Sequence, residues 1–192
     1  KFDTPVSSYW EDTSSENLNL EKLTKDINSE IVVIGGGYTG LLCAINLIEN
    51  HNLDVILVEA GKIGWGASSR NAGFNCLPPS KMSFKKIQSI YGEEETKKFF
   101  KNSVEGSNHT KDIIKEYSID CDATGDSNYV VAHHKNKFEQ IKEQAEIYKS
   151  ELGLETEIYS KEEFNEIGHG GTEQYGAFSY KPGFAINPLK FV

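Results

Sequence analysis

Hydrophobic and polar positions along the chain fall into blocks of different period. Residues 1–30 hold no sustained period and are polar around the pair Tyr9–Trp10. They predict an arm lying on a body, with the two aromatics as anchors. At Ile31 the texture changes. Ile31–Val32–Val33–Ile34 is an unbroken β-branched run, the pattern of a strand buried on both faces in a parallel sheet. It runs directly into Gly35–Gly36–Gly37–Tyr38–Thr39–Gly40. Leu41, Leu42, Ala44, Ile45, Leu47 and Ile48 then recur at helical spacing, and Asn50 and Asn52 supply residues that tolerate a left-handed stop. Asp54 to Glu59 reads as a second buried strand. Strand, helix and strand thus fit into residues 31–59 as a βαβ unit, whose right-handed crossover makes the strands parallel.

Beyond it, residues 61–79 form a loop with glycines at 61, 64, 66 and 73 and prolines at 78 and 79. Lysine-rich amphipathic helices are predicted over 81–91 and 93–117, followed by a strand from Tyr129 to Ala132. Phe138, Ile141, Ala145 and Tyr148 mark a helix ended by Gly153. A strand over 155–159, a short helix over 161–167 and a strand over 174–180 complete the pattern, and a helix start precedes Phe191–Val192. No internal repeat is present.

Composition narrows the class. The 192 residues are 38% hydrophobic and 11% aromatic, too rich in burial potential for a disordered chain. A net charge of −9 repels phosphate backbones and anionic lipid, so neither nucleic acid nor a membrane is an expected partner. No apolar stretch approaches the roughly 20 residues of a membrane span. The three cysteines are an odd number without CxxC spacing, which predicts thiols in a reducing compartment, the cytoplasm, and no metal site. A start at Lys1 without Met, and a stop just after a helix start, suggest a piece of something longer.

The chemistry concentrates between Gly35 and Phe74. A bare GxGxxG is weak, but here a strand precedes it, a helix follows, and Glu59 ends the next strand. In a dinucleotide site Gly35 permits the turn off the strand and Gly37 lets the main chain approach a pyrophosphate. Gly40 lets the helix pack on the strands. The helix beginning near Tyr38 and Thr39 presents N–H groups and its positive dipole end to phosphate. Glu59 can accept the ribose hydroxyls of an adenosine and repels a 2′-phosphate, which disfavours NADP. After Glu59 and Ala60 comes a long loop of small residues, Gly61 to Phe74. Within it Gly66, Ala67, Ala72 and Gly73 let main-chain N–H groups line a second cofactor surface, Ser68 and Asn71 offer hydrogen bonds, and Arg70 offers a fixed charge. A flavin fits that need. A simple NAD-linked dehydrogenase and a non-catalytic nucleotide-binding module are the alternatives.

Ile31-Val-Val-Ile-Gly-Gly-Gly-Tyr-Thr-Gly-Leu41, Val58-Glu-Ala60 and Gly64-Trp-Gly-Ala-Ser-Ser-Arg-Asn-Ala-Gly73 together resemble the D-amino-acid-oxidase-like FAD-dependent oxidoreductases. Among these the chain looks most similar to the gamma-glutamylputrescine oxidoreductase type. Ser8–Tyr9–Trp10, Ile119–Asp120–Cys121–Asp122 and the segment from Gly176 to Pro188 share the likeness. The resemblance implies an α/β fold: a Rossmann-like FAD-binding domain with a parallel sheet, and the start of an inserted α+β substrate domain. The expected division is an arm over 1–30, a first FAD segment with its following helices over 31–118, and the beginning of the substrate domain over 119–192. The resemblance also implies oxidation of a C–N bond in a small amine or amino acid, by hydride transfer to flavin N5. Oxygen or an electron carrier would then serve as acceptor. Gly35, Gly37 and Gly40 would hold the pyrophosphate, Glu59 the ribose, and Ser68 to Phe74 the flavin side. Close relatives often carry a polar residue where Phe74 stands, and no residue here is assigned as catalytic.

Other candidates read as structural. His133 and His134, adjacent on a strand, point to opposite faces and cannot readily share an ion. Cys76 reads as a buried thiol, and His169 sits in a glycine-rich loop.

Overall fold

The computed structural model describes residues 8–14, 18–77, 82–168 and 170–192. His169, Pro78 and Pro79 lie outside the described residues. The chain divides into two compact units. One is drawn from Lys1–Gly73, Ile119–Asp122 and Ile186–Val192, the other from Phe74–Ser118 and Ala123–Ala185.

In the first unit a short helix, α1 (Tyr9–Asp12), precedes the strand β1 (Ile31–Ile34). The helix α2 (Tyr38–His51) then leads to β2 (Val55–Val58). The two strands are parallel, with Ile31 opposite Val55 and Ile34 opposite Val58. Asn52 stops α2 in the left-handed conformation, at φ 51°, returning its N–H to the carbonyls of Ile48 and Leu47. The βαβ unit is therefore present as the hydrophobic pattern predicts.

Burial of β1 differs from expectation. Its residues alternate, and Val32 and Ile34 are 56% and 86% exposed. A single crossover helix covers one face of a two-stranded sheet. Leu23 and Ile27 merely border a shallow groove with Val32, Ile56 and Val58 on the other. A β-branched run records the capacity to be buried twice, and that capacity is half used among the described residues.

The second unit is α+β. Its three-stranded antiparallel sheet has β6 (Ala177–Tyr180) between β4 (Asn128–Val131) and β5 (Thr156–Tyr159). A two-residue ladder joins β3 (Phe74–Asn75) to β7 (Phe184–Ala185). The helix α3 spans Phe84–Glu116 but breaks at Gly92, at φ 82° and ψ 170°, where the sequence pattern divides its two helices. Glu93, Glu94 and Glu95 follow the break and pair with Lys97 and Lys98. The helix α4 (Lys135–Leu152) ends at Gly153, at φ 64°, and α5 (Lys161–Ile167) opens with a reciprocal capping box between Ser160 and Glu163. A last helix, α6 (Pro188–Phe191), belongs to the first unit, and Asn187 caps it.

The core of the second unit unites Phe84, Ile87 and Phe100 of α3, Ala145 and Tyr148 of α4, and Phe178 and Tyr180 of β6. Tyr148 meets Tyr180 edge-on at 5.2 Å between ring centroids. The Tyr180 hydroxyl donates to the Leu77 carbonyl and accepts from the Leu77 N–H at 2.8 Å. Each fully buried aromatic here contributes about 2–3 kcal/mol. Leu77 and the α3 helix pack with the β4–β6–β5 sheet, because the apolar stripe of α3 finds its partners there.

Candidate nucleotide-binding site

All of the glycine-motif residues and the following loop, up to Gly73, lie in the first unit. β1 delivers the chain to Gly35, whose φ of +110° is closed to other residues and whose N–H continues the ladder to the Val58 carbonyl at 2.8 Å. Gly37 caps α2 in extended conformation, and no side chain of its own closes that end. The first bond along the helix runs from Leu41 N–H to the Gly37 carbonyl at 3.0 Å. The Thr39 and Gly40 N–H groups precede it and point out of the positive end of the helix. A Cβ on Gly40 would fall 1.9 Å from the Gly35 carbonyl oxygen and 3.5 Å from Val33 Cγ1, so only glycine allows this crossing.

Glu59 follows β2, beside the end of β1. Its Oε2 accepts from Gly36 N–H at 2.8 Å and its Oε1 from Gly61 N–H at 2.9 Å. The Gly36 bond, then the Gly61 bond, hold the carboxyl below the ordinary carboxylate range despite partial burial. Glu59 is therefore ionised at neutral pH. The carboxylate, with about four acceptor sites on its two oxygens, keeps capacity beyond these backbone donors for a donor such as a ribose hydroxyl.

The loop is folded on itself and on α2. Gly64, at φ +71°, donates to the Gly36 carbonyl at 2.8 Å, and the Ser69 hydroxyl donates to the Gly64 carbonyl. A single 3₁₀ turn covers Ala67–Ser69. Ser68 Oγ accepts from Tyr38 N–H at 3.0 Å, and a Cβ on Gly37 would come within 2.8 Å of that oxygen. Asn71 turns inward. Its Nδ2 donates to the Ala67 and Ser68 carbonyls at 3.1 and 3.0 Å, and its Oδ1 accepts from Gly73 N–H at 2.8 Å. The Arg70 guanidinium lies 4.3 Å over the Trp65 ring. Gly66, Ala67 and Ala72 are exposed, as small residues lining an approach should be. Tyr38 reaches the other way: its hydroxyl donates to the Pro188 carbonyl at 3.2 Å, and its ring meets Phe191 edge-on. Burial raises its pKa, against a hydrogen bond with Asn71.

Of the sequence candidates, Phe74 lies on β3, in the second unit, and is 67% exposed. Cys76 is exposed, not buried, and none of the three cysteines is in a disulfide. His133 and His134 are exposed at the end of β4, and His134 precedes α4. The sequence did not reveal the Gly36 and Gly61 donors to Glu59. Trp10 reads from sequence as an anchor of the arm; the structure adds that its indole Nε1–H donates to the Asn71 carbonyl at 2.8 Å. Only the folded loop brings these groups together. Among the described residues, no helix is long and apolar enough to cross a membrane.

A glycine-fitted βαβ crossing, a helix amino end capped by glycine and an ionised carboxylate at the strand ends define an α/β dinucleotide-binding protein. The residues fit FAD, because Gly37 puts no side chain at the amino end of α2, where a pyrophosphate would approach, and Gly40 lets α2 cross close to Gly35. The family described as FAD dependent oxidoreductase, DAO, matches residues 30–192, and the chain belongs to it. That membership decides for FAD over the NAD-linked alternative. Gamma-glutamylputrescine oxidoreductase of Escherichia coli (strain K12) is 33% identical over 145 residues, 74% of this chain and 34% of that protein. A probable oxidoreductase, OrdL, of Haemophilus influenzae is 25% identical over 188 residues, 97% of this chain and 42% of that one. The fold is similar to that of L-amino acid deaminase from Proteus myxofaciens, solved in complex with anthranilate. The TM-score is 0.66 at 18% identity, over 92% of this chain and 37% of that one. The chain thus spans between about a third and two fifths of the length of these curated relatives.

Proposed function

We propose that the chain carries the FAD-binding side of an oxidoreductase that oxidises a C–N bond of a small amine or amino acid. The observation that supports this most is the capture of Glu59 by the Gly36 and Gly61 N–H groups beside the glycine-capped amino end of α2. In this reading Gly35, Gly37, Tyr38, Thr39 and Gly40 hold the pyrophosphate, and Glu59 and Ala60 hold the ribose. Gly66 to Gly73 line the flavin side through main-chain groups and the Ser68 hydroxyl, with Phe74 at the end of that stretch. Asn71 and Arg70 act by shaping the loop, since their side chains are engaged within it. The second unit is the beginning of an inserted substrate domain.

FAD, when bound at Gly35, Gly37, Gly40, Glu59 and the 66–73 loop, would supply a two-electron acceptor at flavin N5 for the hydride of the carbon bearing nitrogen, leaving an imine for water to hydrolyse. The protein's part is to orient the cofactor, so no acid or base in this chain is required for that step. Oxygen or an electron carrier accepts the electrons afterwards. The amine class rests on the name of the 33%-identical relative, gamma-glutamylputrescine oxidoreductase.

The test has two separable parts. Glu59→Ala should weaken FAD affinity by about tenfold, the worth of a charge-assisted hydrogen bond; unchanged affinity removes Glu59 from the ribose site. Anaerobic addition of an amine and amino-acid panel to the FAD-loaded protein should bleach the flavin absorbance. Bound FAD with no bleaching across the panel would overturn the substrate reading and leave the cofactor reading intact.

A further inference from the structure

We propose that Trp10 is a positioning residue that sets the shape of the 67–73 loop for FAD; the proposal rests on the cofactor reading above. The indole donates to the Asn71 carbonyl at 2.8 Å across 61 residues of sequence. Asn71 is the residue whose side chain closes the loop onto the Ala67 and Ser68 carbonyls and Gly73 N–H. Gripping its carbonyl therefore fixes the orientation of the whole turn. The Ser68 hydroxyl, one residue group further, then meets Tyr38 N–H at the amino end of α2.

The grip is itself braced. The Thr13 hydroxyl donates to the Trp10 carbonyl at 2.8 Å and accepts from Asn187 Nδ2 at 2.8 Å. Asn187 is 2% exposed, and its N–H donates to the Cys121 carbonyl at 2.7 Å. Its Oδ1 accepts from the N–H groups of Leu189 and Lys190. The neighbouring Ile186 N–H donates to the Gly73 carbonyl at 2.8 Å. The loop is thus held at Asn71 by the arm and at Gly73 by the segment that anchors the arm. A Cβ on Gly73 would stand 2.1 Å from the Ile186 oxygen, so that second hold tolerates little displacement. An aromatic that served only as a hydrophobic anchor would need no donor aimed at a loop carbonyl.

The experiment compares Trp10→Phe, which keeps a ring and removes the N–H, with Tyr9→Phe, which alters a 72%-exposed neighbour. Two readouts are taken: amide hydrogen exchange over residues 67–73 without cofactor, and FAD affinity by titration. Trp10→Phe should speed loop exchange and raise the FAD Kd, each about fivefold, as expected for one hydrogen bond. Tyr9→Phe should leave both unchanged. Unchanged loop exchange in Trp10→Phe overturns the proposal, as does faster exchange with unchanged FAD affinity. No FAD uptake by the unaltered chain overturns the cofactor reading and the proposal with it, which distinguishes that failure from the other two.

Discussion

Two glycine-to-alanine substitutions of identical chemistry should move stability in opposite directions. Gly40 and Gly106 both lie within helices, α2 and α3. At Gly106 an added Cβ meets nothing within 4 Å. Gly106→Ala should therefore return the helix-propensity difference alone, a gain of up to about 1 kcal/mol. At Gly40 the same atom would stand 1.9 Å from the Gly35 carbonyl oxygen. Carbon and carbonyl oxygen settle at about 3.3 Å or more, so α2 must retreat from β1 by over about 1 Å. The obstacle is backbone, which cannot rotate away as a side-chain tip would. Overpacking of this kind costs about 1–3 kcal/mol, and the propensity gain offsets only part of it. A net loss of up to about 2 kcal/mol is expected, together with weaker FAD binding, because the moving carbonyl belongs to the turn proposed to bind the pyrophosphate. Urea unfolding of both variants, followed by far-UV circular dichroism, supplies the comparison. A Gly40→Ala midpoint equal to or above that of Gly106→Ala would refute the close crossing.

Three further outcomes follow from the same geometry. Gly37→Val should abolish FAD binding, because its side chain would overlap the pyrophosphate that the proposed site brings against this glycine; retained binding by titration would remove Gly37 from the site. Phe100→Ala, at a fully buried position, should cost about 3–5 kcal/mol in denaturant unfolding, and a cost under about 1 kcal/mol would place Phe100 outside the core. Burial, opposed by a Gln144 hydrogen bond, pushes the Tyr148 phenol from 10.0 up to about 12. Its folded pKa is raised, so its contribution is whole below pH 10 and falls away as pH climbs toward 12. Tyrosinate absorbance and helix signal should therefore change together in that window, and Tyr148 ionising with the helices intact would contradict its burial.

The βαβ unit was legible because its requirements are local. The aliphatic runs, the Asn52 stop and the spacing of Gly35, Gly37, Gly40 and Glu59 each answer to a turn, a close approach or a strand end. The capping box at Ser160 and the stop at Gly153 were legible for the same reason. What escaped depends on partners distant in sequence. The β3–β7 ladder has two residues a side, too short to show a period. Asn71 was read as facing a cofactor, yet its side chain closes its own loop, and the sequence holds no signal separating those fates. The exposure of Val32 and Ile34 was equally invisible, because hydrophobicity states what can be buried and not what covers it.

The most direct test of the account is a calorimetric titration of the purified chain with FAD and, separately, with NAD. The two share the adenosine and pyrophosphate that Glu59 and the glycines address, and differ in the half that the 66–73 loop would meet. FAD binding at least about tenfold tighter than NAD is the predicted result, one decade being about 1.4 kcal/mol. NAD bound as tightly as FAD, or more tightly, would contradict the assignment of that loop to a flavin.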